Sequence, residues 1–219
     1  MVEYAVSDLV KEVKVLLDRN QESAGLLAPS DSDTLSQAEL IESKIVDAAR
    51  IILSDSPEYM VEGTSCTNDV TWTDDSNGYY VGKMVLPTDM LRILSVKAEG
   101  WNRPATIISE SDDAYKYQNC KYGVRGNPER PIAAIVHTAN GKSIELYTSK
   151  KQDATLAFIY VQVPSITTEQ KISLPSVLKD SILYMAGYLT CISLGDTDTA
   201  SGFLGVARKL AHIVEPTTS

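Results

Sequence analysis

Apolar residues recur at helical spacing near the start of the chain. A first helix is predicted by one apolar face, formed by Leu9, Val10, Val13, Leu16 and Leu17. A loop is expected over 20–34, where Ser, Asp, Gly and Pro are frequent. Ser36 and Glu39 then stand at the spacing of a capping box, which predicts the start of a second helix. This helix is expected to end before Pro57.

The hydrophobic period changes in the middle of the chain. From 79 to 163 the apolar runs are short, rich in β-branched residues and Tyr, and broken by Gly, Pro and Asn, which predicts strands. The clearest hairpin joins Ile132–Thr138 to Ser143–Tyr147 through Asn140-Gly141, a dipeptide that type I′ turns favour. A long exposed excursion is expected over 110–130, where polar and turn-forming residues are frequent.

The helical period returns after residue 170. One helix is expected to end at Gly195, the usual C′ residue, and a last helix is expected over Thr197–Val214. The predicted apolar face of this last helix consists of Phe203, Ala207, Leu210 and Val214. The pattern therefore predicts an α+β fold, a helical bundle formed by N- and C-terminal helix pairs with an inserted antiparallel β-rich middle. In residue numbers, 1–60 plus 170–219 form the bundle and 61–169 form the insertion.

Negative charge is concentrated near the N-terminus. The 219 residues carry 29 acidic and 20 basic side chains, a net charge of −9. An acidic chain is poorly suited to gripping the phosphates of nucleic acids. The three cysteines form no metal-binding or disulfide pattern, and neither a signal peptide nor a membrane-spanning run is recognisable. We therefore expect a soluble protein that is made inside the cell and does not enter a membrane.

The sequence contains no recognisable catalytic motif. His137 and His212 lie in separate segments, outside any metal-binding spacing. Three acidic pairs remain as candidate acids, bases or cation ligands, namely Asp74 with Asp75, Asp112 with Asp113, and Asp196 with Asp198. For the third pair, capping of the last helix is the favoured role. We expect no catalytic residue, no cofactor and no metal site.

Tyrosine is the dominant aromatic residue, with 11 Tyr against two Phe and two Trp. In one polar segment tyrosines alternate with basic residues, and its contact candidates are Tyr115, Tyr117, Tyr122 and Arg125. This combination can stack on bases or sugars, or it can meet another protein chain. The acidity of the chain favours contact with a neighbouring subunit over contact with nucleic acid.

The segment Val85–Trp101 resembles a known family. It contains Leu-Pro-Thr-Asp, then a hydrophobic residue, one further residue and Arg92. The predicted strand that follows ends in Gly-Trp. This pattern resembles the head-to-tail adaptor (connector) proteins of short-tailed bacteriophages, among which the ring proteins of crAss-like phages are nearest. The strand after Arg130, the Leu174-Pro175 helix start and the acidic N-terminal helices continue the likeness over most of the chain.

The resemblance implies a non-enzymatic virion component at the head–tail junction, assembled in the host cytoplasm. Such adaptors form a homo-oligomeric ring, usually dodecameric, below the portal protein and above the next tail ring or tail hub protein. The ring extends the DNA channel, and the genome passes without specific binding.

By the same analogy, the portal contacts are expected near the C-terminus and the β-rich middle is expected to face the next tail ring. The portal-contact candidates are Arg208, Lys209, His212, Ile213, Val214, Thr217 and Thr218. The alternative function is that of a glycan-cleaving or carbohydrate-binding tail module that uses the β-rich middle.

Overall fold

A computed structural model describes residues 1–17, 36–76, 78–120, 125–139 and 141–214. The predicted loop over 20–34 and the residues Tyr122, Asn140, Thr217 and Thr218 lie outside these ranges. The chain divides into two compact units. We call residues 1–62 with 163–219 the helical unit, and residues 63–162 the β unit.

The described residues form five helices. They are α1 (Val6–Leu16), α2 (Gln37–Asp55), α3 (Asp113–Lys116), α4 (Lys179–Ser193) and α5 (Thr197–Leu210). The predicted capping box of α2 is confirmed, because Ser36 Oγ accepts from the Glu39 N–H (3.3 Å) and Glu39 Oε2 accepts from the Ser36 N–H (2.7 Å). Gly195 is confirmed as the C′ residue of α4, with a φ of +78°.

Helix α4 is the centre of the helical unit, because α1, α2 and α5 all pack against it. Its buried residues are Ser181, Ile182, Leu183, Met185, Ala186, Gly187, Thr190 and Cys191. A helix with so broad an apolar surface needs several neighbours to cover it. Gly187 allows α5 to approach closely, since a Cβ at this position would lie 2.7 Å from the ring of Phe203.

Ten strands form three sheets in the described ranges. Strands β1 (Val2–Ala5) and β10 (Lys171–Leu174) make an antiparallel pair in the helical unit, with Val2 opposite Leu174. The β unit contains a three-stranded sheet in the order β2-β9-β5 and a five-stranded sheet in the order β3-β4-β8-β7-β6. Their bounds are β2 Thr64–Ser65, β3 Thr71–Asp74, β4 Tyr80–Val85, β5 Met90–Ala98, β6 Thr106–Ser109, β7 Ile132–Thr138, β8 Gly141–Ser149 and β9 Leu156–Gln162.

The β unit buries apolar residues on both faces of its five-stranded sheet. The main core joins side chains of both sheets, including Met84, Val96, Ile144, Leu146 and Phe158. Because successive strand residues point to opposite faces, Tyr147 of β8 and Ala134 and Val136 of β7 form a second, smaller cluster. Tyr115 from α3 packs against this second cluster.

The chain is α+β, but the predicted arrangement, a helical bundle formed by N- and C-terminal helix pairs with an inserted antiparallel β-rich middle, is wrong. The helices do not form two pairs, because α1, α2 and α5 share α4 as their partner. The helical unit also contains strands β1 and β10, and the middle contains α3 and the parallel pair β6–β7. The sequence pattern missed β1 because this strand is only four residues long and its partner lies near the other end of the chain.

Candidate assembly surface

Helix α5 turns one face to α4 and leaves another exposed. Asp196 caps the helix, since its Oδ1 accepts from the Thr199 N–H (3.1 Å), which confirms the capping role favoured by the sequence. Ala200 and Ala207 are buried, and Ser181 Oγ of α4 donates to the Ala207 carbonyl (2.8 Å). Close packing through alanines therefore fixes the rotation of α5.

Beside the buried alanines, α5 carries exposed apolar side chains. Val206 is 39% exposed, Leu210 is 40% exposed, and Val214, just beyond the helix, is 87% exposed. Lys209 is exposed on the last turn of the helix. We call Val206, Lys209, Leu210 and Val214 the α5 patch. Adjacent exposed aliphatic side chains of this kind mark surfaces that meet another protein.

A tight turn after α5 positions the end of this patch. The Ile213 N–H donates to the Arg208 carbonyl (2.9 Å) and the His212 N–H donates to the Lys209 carbonyl (3.3 Å), which is the Schellman arrangement. His212 stands at the C′ position with a φ of +54°. Its Nδ1 is hydrogen-bonded to the Tyr59 hydroxyl (2.9 Å), a contact that the sequence did not suggest.

The portal-contact candidates within the described ranges, Arg208, Lys209, His212, Ile213 and Val214, thus lie at the end of α5 and in the turn that follows. Arg208 and Ile213 are half-buried, whereas Lys209, His212 and Val214 are exposed. Tyr59 was missed by sequence reasoning because its helical turn, Glu58–Met60, is far from His212 along the chain. A helical pattern gives neighbours within one element and does not reveal such distant pairs.

Two grooves beside α4 extend the exposed apolar surface of the helical unit. One, of about 450 Å³, lies between α2 and α4 and is lined by Ile51 and Ile192. The other, also about 450 Å³, lies between α1 and α4 and is lined by Val15, Leu16 and Leu183. Both grooves also carry charged side chains, so they combine apolar contact area with polar edges, as protein interfaces do.

Exposed apolar side chains and net charge are both concentrated in the helical unit. Of the fourteen large apolar residues that are exposed within the described ranges, ten belong to it. Over their full sequences, the helical unit carries 18 acidic and 9 basic side chains, whereas the β unit carries 11 of each. The helical unit therefore accounts for the whole net charge of −9.

The tyrosine candidates of the β unit are held in different ways. Tyr115 donates to Glu145 Oε2 (3.2 Å), and Tyr147 donates to the same oxygen (2.7 Å). Burial, together with the hydrogen bond and negative charge of Glu145, raises the pKa of Tyr147. Tyr117, by contrast, is 52% exposed. Among these residues, Tyr117 is the exposed one, whereas Tyr115 serves the fold.

Arg125 pairs with Asp75, and both side chains are largely buried. The other acidic candidates also have local partners. Asp74 Oδ1 accepts from the Ser76 N–H (2.8 Å), Asp112 Oδ2 accepts from the Ser109 N–H (2.7 Å), and Asp113 pairs with Lys116 (2.8 Å). Within the described ranges, no three His, Cys, Asp or Glu side chains are grouped so that they could hold a metal ion.

No protein-family model matches the sequence, and no curated protein is significantly similar to it. Among the helices of the described ranges, none has both the length and the apolar composition that crossing a bilayer requires.

Proposed function

We propose that the chain is a structural head–tail adaptor of a bacteriophage virion, assembled in the host cytoplasm. Copies of the chain form a ring, dodecameric by family resemblance, below the portal protein and above the next tail ring or tail hub protein. The ring extends the channel through which the genome passes. The observation that carries the proposal is the concentration of exposed apolar side chains on the helical unit, in the α5 patch and the two α4 grooves.

The segment that resembles the adaptor family has structural roles that support the likeness. Leu86 is buried in the main core of the β unit, and Asp89 accepts hydrogen bonds from Tyr160 (3.3 Å) and Gln162 (2.5 Å) of β9. Gly100 has a φ of +84°, and the buried Trp101 donates to the Thr148 carbonyl (2.9 Å). The Leu-Pro-Thr-Asp and Gly-Trp elements thus hold both ends of β5, so the resemblance concerns residues on which the fold of the β unit depends.

The charge of the helical unit supports passage of DNA without binding. Twelve copies at −9 each would carry a total of about −108, which produces a substantial collective field. The acids of residues 1–60, placed toward the bore, would repel phosphates and keep the genome from adhering. Charge reversal of exposed acids such as Asp47 and Asp55 is expected to slow DNA ejection, and a structure of the ring with those acids only on its outer wall would contradict this role.

Mass measurement of the full chain, alone and with the portal protein of the same virus, tests the assembly. The chain has a mass of 23.9 kDa, so a dodecamer has a mass of about 290 kDa. We expect either this ring or a portal-dependent complex in analytical ultracentrifugation. A chain that stays monomeric with and without portal would contradict the proposal.

Substitutions in the α5 patch test which surface is used. The double variant V206S/L210S removes exposed apolar contacts and is expected to lower association at least tenfold, while it lowers the free energy of unfolding by only about 1 kcal/mol. Ile107→Ser, at a comparably exposed position in the β unit, is the matched control and should associate like the natural chain. Equal effects of both changes would argue against the α5 patch as the contact surface.

A further inference from the structure

An open cleft in the β unit lies outside the α5 patch and the two α4 grooves. It has a volume of about 410 Å³ and lies between the segments 66–72 and 152–156. Its exposed lining residues are Thr67, Asn68, Asp69, Gln152, Asp153 and Thr155. Trp72, which is half-buried, supplies the aromatic part of the wall. The cleft thus surrounds one indole ring with carboxylates, amides and hydroxyls.

The ring of Trp72 is held in place by three contacts. Its Nε1–H donates to the Ala154 carbonyl (3.0 Å). It lies directly against Gly82, where a Cβ would come within 2.7 Å of the ring, and it also packs on the main core of the β unit. A side chain fixed in this way loses little conformational freedom when a ligand stacks on it.

The polar groups of the cleft define the chemistry of its ligand. The carboxylates of Asp69 and Asp153 accept hydrogen bonds, and the amide of Gln152 both donates and accepts. Vicinal hydroxyl groups match such a set, because hydroxyls bind carboxylates through strong, charge-assisted hydrogen bonds. The same two negative charges disfavour phosphate- or carboxylate-bearing ligands.

We propose that this cleft binds an uncharged carbohydrate. The C–H face of one sugar ring stacks on the indole of Trp72, and the sugar hydroxyls donate to Asp69 and Asp153, with Gln152 as a further partner. The inference is separate from the assembly proposal, since its residues belong to the β unit and to neither the α5 patch nor the α4 grooves.

A glycan array followed by fluorescence titration of the full chain tests the proposal. The array carries uncharged and uronic-acid glycans, and the titrations use maltose, cellobiose, N,N′-diacetylchitobiose and, as the anionic probe, digalacturonate. We expect uncharged glycans to bind and at least one of the uncharged disaccharides to change tryptophan emission with saturation. Trp101 is only 3% exposed, so the change reports on Trp72.

Variants of exposed lining residues locate the binding without disturbing the fold. Asp153→Asn and Gln152→Ala are each expected to weaken binding about tenfold. Glu129→Gln changes the charge equally at an exposed position that does not line the cleft, and it should bind like the natural chain. The proposal is overturned if no uncharged glycan binds, if the two cleft variants bind normally, or if digalacturonate binds as well as the uncharged disaccharides. None of these outcomes would change the mass expected for the ring or for the complex with the portal protein.

Discussion

Individual polar side chains connect the described parts of the segment 110–130, residues 110–120 and 125–130, to the rest of the β unit. Glu145 accepts from both Tyr115 and Tyr147, and Gln118, only 2% exposed, accepts from the Gly126 N–H (2.9 Å). The polar composition of this segment predicted full exposure. It could not show that these groups find partners inside the β unit, which is the condition under which polar side chains are buried.

Removing the Tyr147 hydroxyl should destabilise the β unit. Tyr147→Phe keeps the ring in the second cluster and deletes a hydrogen bond to a carboxylate, so the free energy of unfolding should fall by about 1–2 kcal/mol. The exposed Tyr117 provides the matched control, because Tyr117→Phe should change the free energy of unfolding by less than about 0.5 kcal/mol. Chemical denaturation measures the free energy of unfolding of both variants. Equal stabilities of the two variants would contradict the role of the Tyr147–Glu145 hydrogen bond.

The contact between Glu110 and His137 should make stability depend on pH. The Glu110 carboxylate accepts a hydrogen bond from the backbone N–H of His137 and is also hydrogen-bonded to the His137 ring. The backbone bond is the larger cause and the ring bond the second by which the pKa of Glu110 is lowered below its ordinary value of 4.5. A lowered folded-state pKa gives stability that is present above that ordinary value and is lost as pH falls through the folded-state value.

Glu110→Gln should therefore be less stable than the natural chain at pH 6, and the difference should shrink at lower pH. Urea denaturation between pH 3 and pH 6 measures this difference. A gap between the two chains that does not change with pH would show that the carboxylate charge is not responsible.

At the scale of elements, local patterns predicted helices well and their packing faces less well. The predicted apolar face of the last helix included Ala207, which is buried as predicted, and Leu210 and Val214, which are exposed; Ala211, outside the predicted face, is buried too. Close approach to α4 selects the line of small residues, and this choice depends on a distant partner that periodicity does not specify. The sequence therefore could not reveal that Leu210 and Val214 are exposed.

The predicted hairpin of β7 and β8 is confirmed as an antiparallel pair, but its turn was placed wrongly. Thr138 lies opposite Gly141, so Gly141 is the first residue of β8 and not a central residue of the turn. Its φ of +106° still explains why glycine stands there. The Asn-Gly dipeptide predicted correctly where the chain reverses, but the centre of the turn lies one residue earlier than predicted.

Two glycines in the α4–α5 pair should respond in opposite ways to alanine. Gly205 has open space where a Cβ would stand, so Gly205→Ala should raise the free energy of unfolding by up to about 1 kcal/mol through helix propensity. In Gly187→Ala the added methyl group would push against Phe203, so this substitution should lower the free energy of unfolding by about 1–3 kcal/mol. Thermal unfolding compares the stabilities of the two variants. A change in stability of the same sign in both variants would contradict the packing described for α4 and α5.

At the scale of the whole molecule, net charge is divided unequally between the two units. The sequence already shows negative charge concentrated near the N-terminus. The helical unit combines both ends of the chain and carries the full −9, while the β unit is neutral. The structure adds that the C-terminal helices belong to the same unit as the acidic N-terminal segment.

Ring assembly through the helical unit should therefore strengthen with salt. Neighbouring acidic units repel one another, and raising NaCl from about 20 mM to 500 mM shortens the screening length to a few ångströms. Sedimentation at both concentrations should show tighter association at high salt. The double variant D55N/E58Q should reduce this dependence more than the matched pair D113N/E129Q in the β unit. Dissociation of the ring by salt would instead indicate contacts between opposite charges.

The pairing of β1 with β10 has a consequence for biosynthesis. The β unit is one continuous stretch, so it can fold as soon as its last strand leaves the ribosome. The helical unit needs α4, its central helix, and the β1–β10 pair, and both wait for residues after 163. The apolar patches on this unit therefore cannot be completed until α4 and α5 have been synthesised, so a nascent chain that lacks these helices has no finished surface with which to join a ring.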